Sequence, residues 1–159
     1  NEVKVSPDGR YLYAVETMGG RIVRFPIRAD GSLGAKACVG PDSLGPGALP
    51  DGITFDAAGN IWVTIITQNA IQIIDRDGAV HVVYSDPNAA AVAAMARAVE
   101  ERTGTLDHLS ACMAVDGPLR LPTSLAFSAD GRTAFVGSVG LTHLASFRLP
   151  AELAAARHS

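Results

Sequence analysis

The sequence predicts an all-β fold, about three blades of a β-propeller, interrupted by a short helical insertion. Three observations predict it. One strand-turn-strand pattern occurs three times, headed by Asn1, Asp51 and Thr123. Further strand-like runs follow each copy, and four short strands at a period of roughly 40–50 residues mark a propeller blade. The interval between the second and third copies is the longer one, and its surplus is alanine-rich with helical periodicity.

The three copies read "NEVKVSPDGRYLYAVET" from Asn1, "LPDGITFDAAGNIWVT" from Leu49 and "TSLAFSADGRTAFVGSV" from Thr123. In each, a polar residue precedes a largely apolar strand ending at Val5, Phe55 or Phe127. Ser6, Asp56 or Ser128 follows, and a turn closes on Gly9, Gly59 or Gly131. Asp8-Gly9 and Asp130-Gly131 are strong hairpin signals. The second strand carries Tyr13, Trp62 or Phe135, expected to pack between blades. Third strands are expected at 21–25, 70–74 and 143–147, and fourth strands at 35–39 and 80–84. The last copy lacks a clear fourth strand.

The insertion spans 86–113. Asp86 is the expected N-cap, Pro87 the first helical residue and Gly104 the stop. Val92, Met95, Ala96 and Val99 form one apolar stripe, and a second short helix should turn Leu106, Leu109 and Met113 inward. The stripe is expected to pack on blade edges; a partner-binding helix or a lid over the site are the alternatives. The tail "LPAELAAARHS" reads as a short helix starting near Pro150.

Bulk properties bound the function. The 159 residues suit one domain, 48% apolar and 18% charged. A net charge of -3 without blocks of like charge argues against nucleic acid and anionic membrane surfaces. No apolar stretch is long enough to span a bilayer. No signal peptide is visible, and a cytoplasmic location is favoured. Cys38 and Cys112 read as free, partly buried thiols. There is neither a G-x-S-x-G nucleophile elbow nor a phosphate-binding P-loop, and His81, His108, His143 and His158 lack metal-like spacing.

Asn1, Asp51 and Thr123 hold the same position in their repeats, at the head of the innermost strand. Three polar groups from neighbouring blades would converge on one axis. A carboxylate and an amide oxygen suit a hard cation such as Ca²⁺ or Mg²⁺. Blander readings stand beside this one. Pro50-Asp51-Gly52 could simply make a β-turn, Asn1 could be a frayed end, and Thr123 and Ser124 could satisfy nearby backbone. Glu16 reads as a solvated edge charge.

Residues 1–25, with "LPDGITFDAAGNIWVT", "PTSLAF" at 122–127 and "TAFVGS" at 133–138, resemble the SMP-30/gluconolactonase-like superfamily. The resemblance covers most of the chain outside 86–121. It implies a six-bladed propeller with one divalent cation in the central channel, of which residues 1–159 would be the C-terminal half. The ring would be completed by a missing N-terminal half or by a second copy. The implied ligands are a first-blade glutamate, two asparagines and the aspartate of Pro-Asp-Gly. Asn1 and Asp51 match two of these as metal ligands; the other two have no counterpart, and Glu2 stands where the family has glycine. Ca²⁺ is the first choice, with Mg²⁺, Mn²⁺ or Zn²⁺ as alternatives. The implied activity is hydrolysis of a sugar lactone or similar cyclic ester, with Asp51 also the catalytic candidate and Thr123 and Ser124 substrate-binding. This stretch alone is expected to be inactive. The rivals are a non-catalytic scaffold or ligand-binding propeller and a strictosidine synthase-like enzyme, which shares the first-blade motif.

Overall fold

The computed structural model describes residues 1–150. The expected tail helix lies outside the described residues. Three antiparallel sheets follow one another along the chain, each a simple meander. The first holds β1 (Val3–Val5), β2 (Tyr11–Glu16), β3 (Arg21–Pro26) and β4 (Ala37–Val39). The second holds β5 (Pro50–Phe55), β6 (Ile61–Ile65), β7 (Ala70–Ile74) and β8 (Val80–Tyr84). Two helices follow, α1 (Ala89–Glu100) and α2 (Leu106–Ala111), and then a sheet of β9 (Pro122–Phe127), β10 (Thr133–Ser138) and β11 (Ala145–Arg148). The expected strands are all present, the third strand of the last sheet starting two residues later than the sequence suggested.

The turns explain why the pattern repeats. The Ser6 hydroxyl donates to Asp8 Oδ1 at 2.6 Å, and that oxygen accepts from Arg10 N at 3.0 Å. Ser128 and Asp130 do the same, at 2.6 Å and with Arg132 N at 3.0 Å. The serine bond and these backbone bonds, joined at Asp8 by the Arg10 guanidinium, hold both carboxyls below the usual carboxylate range. The middle copy uses Asp56 directly. It accepts from Asn60 N at 2.9 Å and from the Trp62 indole at 3.0 Å.

The second sheet is the centre of the molecule. Every residue of β6 and β7 is buried, because the outer sheets cover both faces. Tyr13, Val15 and Ile22 of the first sheet pack against Ile53, Val63 and Ile74 of the second. Trp62 and Ile71 of the second pack against Leu125 and Val136 of the third. The aromatic step repeats between sheets: Tyr13 meets Phe55 edge-on at 5.1 Å, and Trp62 meets Phe127 at 5.2 Å. Phe135 departs from the expectation that all three pack between sheets; it is 40% exposed. It faces the side on which a following sheet would lie, and none follows among the described residues. At the other end Val3 and Val5 are likewise exposed.

Trp62→Phe keeps the ring packing and removes the indole donor to buried Asp56. A loss of about 1–2 kcal/mol of unfolding free energy in urea titration is expected, the cost of one buried hydrogen bond to a carboxylate.

The helical segment differs from expectation in its caps. Asn88, not Asp86, is the N-cap; its side chain accepts from Ala91 N at 3.2 Å. Asp86 instead accepts from Gly117 N at 3.0 Å and ties the chain entering the helices to the chain leaving them. α1 ends before Gly104, with Arg102 in the left-handed region at φ 58°. Leu106 is not inward; it is 79% exposed. Cys112 is buried, but Cys38 is exposed; both are free thiols.

Candidate functional site

The three strand heads lie side by side because β5 runs between β1 and β9. Pro50-Asp51-Gly52 is not a turn. It is the start of β5, with a bulge between Pro50 and Ile53 in the ladder to β6. Gly52 lacks the left-handed backbone that a Pro-Asp-Gly turn would need. A Cβ on Gly52 would sit 2.3 Å from the Thr123 carbonyl oxygen and 2.9 Å from Ser124 Cα. Glycine is therefore required because β5 and β9 touch backbone to backbone.

The bulge strands two amide groups, and polar side chains take them up. Gly52 N donates to the fully buried Thr64 Oγ1 at 2.9 Å. Ile53 N donates to Glu2 Oε2 at 2.6 Å, while Lys4 Nζ donates to Ile53 O at 2.9 Å. Glu2, which departs from the glycine of the family motif, thus clamps β1 to β5. Sequence reasoning missed Thr64 and Glu2. A buried threonine opposite a Pro-Asp-Gly strand was the available signal for the first; nothing local marked the second.

Asp51 is half-buried, and its carboxylate accepts no hydrogen bond among the described residues. Burial pushes its pKa up, and the Glu2 carboxylate adds to this. The Glu2 influence puts the heads of β1 and β5 within electrostatic reach of each other. The Asn1 backbone nitrogen donates to Val15 O at 2.7 Å, and the residue is exposed. The Thr123 hydroxyl donates to Gly137 O at 3.4 Å. Ser124 pairs with Gly137 and is exposed on the same face of the sheet as Ala126 and Phe135, away from the second sheet. Glu16 is held by Arg21 at 2.7 Å and Lys36 at 2.9 Å.

The donors at the strand heads are all oxygen, which fits a hard cation in kind. Their number is smaller than a full shell. No group of three or more His, Cys, Asp or Glu side chains that could hold a metal occurs among the described residues. The unpartnered, half-buried carboxylate of Asp51 is the observation that speaks for a cation here, since buried charge is normally paired or metal-bound.

The helices pack on the same end of the sheets. Val92, Met95 and Cys112 lie against Leu49, Ile66 and Leu121, the residues that flank the strand heads. Asn69, fully buried at φ 45°, holds this layer down. It donates to Cys112 O at 2.8 Å and accepts from Leu121 N at 2.8 Å. Between the helices and β5 lies a cleft of about 540 Å³, with Asp51 in its wall.

A family model described as the SMP-30/gluconolactonase/LRE-like region matches residues 1–102. The chain belongs to this family. Within the SMP-30/gluconolactonase/LRE-like proteins, a 6-deoxy-6-sulfogluconolactonase from Pseudomonas putida is 30% identical over 80 residues, which cover 50% of this chain and 28% of that one. A gluconolactonase structure from Xanthomonas campestris superposes with a TM-score of 0.60 at 21% identity, covering 94% of this chain and 37% of the other. Regucalcin from Agrobacterium tumefaciens, described as a calcium-binding protein, superposes with a TM-score of 0.55 at 24% identity, covering 86% and 36%. The chain thus spans well under half the length of these relatives. No described helix is long and apolar enough to cross a membrane.

Proposed function

We propose that the natural protein is a divalent-cation-dependent lactonase, and that Asp51 and Asn1 supply part of its cation site at the head of the inner strands. Asp51 carries the reading: a half-buried carboxylate without a hydrogen-bond partner, in a family with lactonase members. We further propose that residues 1–159 are the C-terminal half of a six-bladed propeller. Its free faces, with Val3 and Val5 at one end and Phe135 at the other, would be covered by an N-terminal half or a second copy.

In the hydrolysis, the oxygen of a water molecule bonds to the lactone carbonyl carbon. The ring C–O bond then breaks, and the proton released by the water ends on the departing ring oxygen, giving a hydroxy acid. A bound cation would polarise the carbonyl and stabilise its developing negative charge. This chain's own residues position the groups. Glu2, Lys4 and Thr64 fix the bulge that presents Asp51, and the helical layer shields one side of the site from water.

The test is chelation of the natural protein. Hydrolysis of glucono-δ-lactone should be lost in excess chelator and return with added Ca²⁺, Mg²⁺, Mn²⁺ or Zn²⁺. Undiminished turnover after exhaustive chelation would refute the cation dependence.

A further inference from the structure

The cleft beside Asp51 is built for something other than a polyol. Its walls are mostly apolar, with Met95 and Val99 of α1, Leu106 and Leu109 of α2, and Ile66 from the end of β6, and they also include Thr17 and Thr105. Asp51 is the only ionisable side chain on them among the described residues. The volume of about 540 Å³ lies within the range of small-molecule sites, which are mostly apolar with a few placed polar groups. Leu106, 79% exposed, and Met18, 64% exposed, stand at its edge. Large apolar side chains left exposed around one cleft mark a binding surface. The several hydroxyls of a sugar lactone would find only Asp51, Thr17 and Thr105 as side-chain partners on the described walls, and burying the rest unpaired is costly.

We propose that this cleft is the substituent pocket of the site, and that the substrate is a lactone carrying a medium-length alkyl chain. The proposal rests on the lactonase reading above. The ring carbonyl lies toward Asp51 and the alkyl chain lies between α1–α2 and Ile66. The helical layer is then a specificity element, and its staple Asn69 a positioning residue.

The test compares δ-decalactone with glucono-δ-lactone on the natural protein, and adds calorimetric binding of δ-decalactam, which has the same skeleton and resists hydrolysis. The variant is Leu106→Lys, which alters an exposed side chain and leaves the core intact. δ-Decalactone should be preferred in kcat/KM. Leu106→Lys should lower the ratio of its kcat/KM to that of glucono-δ-lactone about tenfold, the worth of a few apolar contacts in a pocket. It should weaken δ-decalactam binding by a similar factor. Preference for glucono-δ-lactone, or a ratio and lactam affinity untouched by Leu106→Lys, would overturn the pocket. Lactam binding sensitive to Leu106→Lys without turnover of either lactone would uphold the pocket and refute the lactonase reading instead.

Discussion

Asp51→Asn should reduce lactone hydrolysis by the natural protein at least about a hundredfold, because an amide oxygen replaces a carboxylate that is unpaired among the described residues. The same substitution should stabilise the fold in metal-free buffer. Burial raises the folded-state pKa of Asp51 above its unfolded value. Protonated Asp51 is therefore tolerated, and ionised Asp51 costs stability once the pH has risen through the folded value. The cost is absent below the ordinary carboxylate pKa of about 4. The residue is only half-buried, so solvent screening limits the gain at neutral pH to about 1 kcal/mol or less. Urea unfolding of both forms with chelator, at pH 7 and again near pH 3, should show the Asp51→Asn variant the more stable at the higher pH and the difference gone at the lower. Lost activity with gained stability is the mark of a group held for chemistry. Equal activity, or a variant less stable than the wild type at pH 7, would make Asp51 a structural residue.

Gly52→Ala should damage fold and activity together. The added methyl would meet the Thr123 carbonyl oxygen at 2.3 Å, and neither strand can move without opening the seam between the second and third sheets. Overpacking of this kind costs about 1–3 kcal/mol, and backbone is less able to yield than a side chain. The melting temperature should fall by several degrees, and lactone hydrolysis should fall because Asp51 is displaced with its neighbour. Gly104→Ala is the control for stability. A methyl there meets nothing within 4 Å, and its effect should stay within about 0.5 kcal/mol. A Gly52→Ala protein that melts with the wild type would contradict the backbone contact.

Much of the fold was legible because it is local and repeated. Ser6-Asp8 and Ser128-Asp130 write the same turn twice, and the strands that these turns join follow the alternation of buried and exposed residues. Repetition also placed Asn1, Asp51 and Thr123 at equivalent strand heads. What the sequence hid depends on neighbours far along the chain. Pro50-Asp51-Gly52 heads a strand as the repeat implies, but its bulge against β6 and the close approach of β9 at Gly52 have no local signature. Phe135 matches Trp62 in the repeat, but only Trp62 has a following sheet to enter. Leu106 falls on the apolar side of a helical wheel, and the cleft leaves it exposed. Glu2 found its role through Ile53, to which no local pattern points.

Anomalous diffraction from crystals of the natural protein grown with Mn²⁺ is the most direct measurement. A peak about 2.0–2.6 Å from a carboxylate oxygen of Asp51, with the Asn1 side chain beside it, is the expected result. A well-ordered Asp51 with no peak, or a cation bound elsewhere while lactone hydrolysis persists, would contradict a site formed by oxygen donors at the heads of the inner strands.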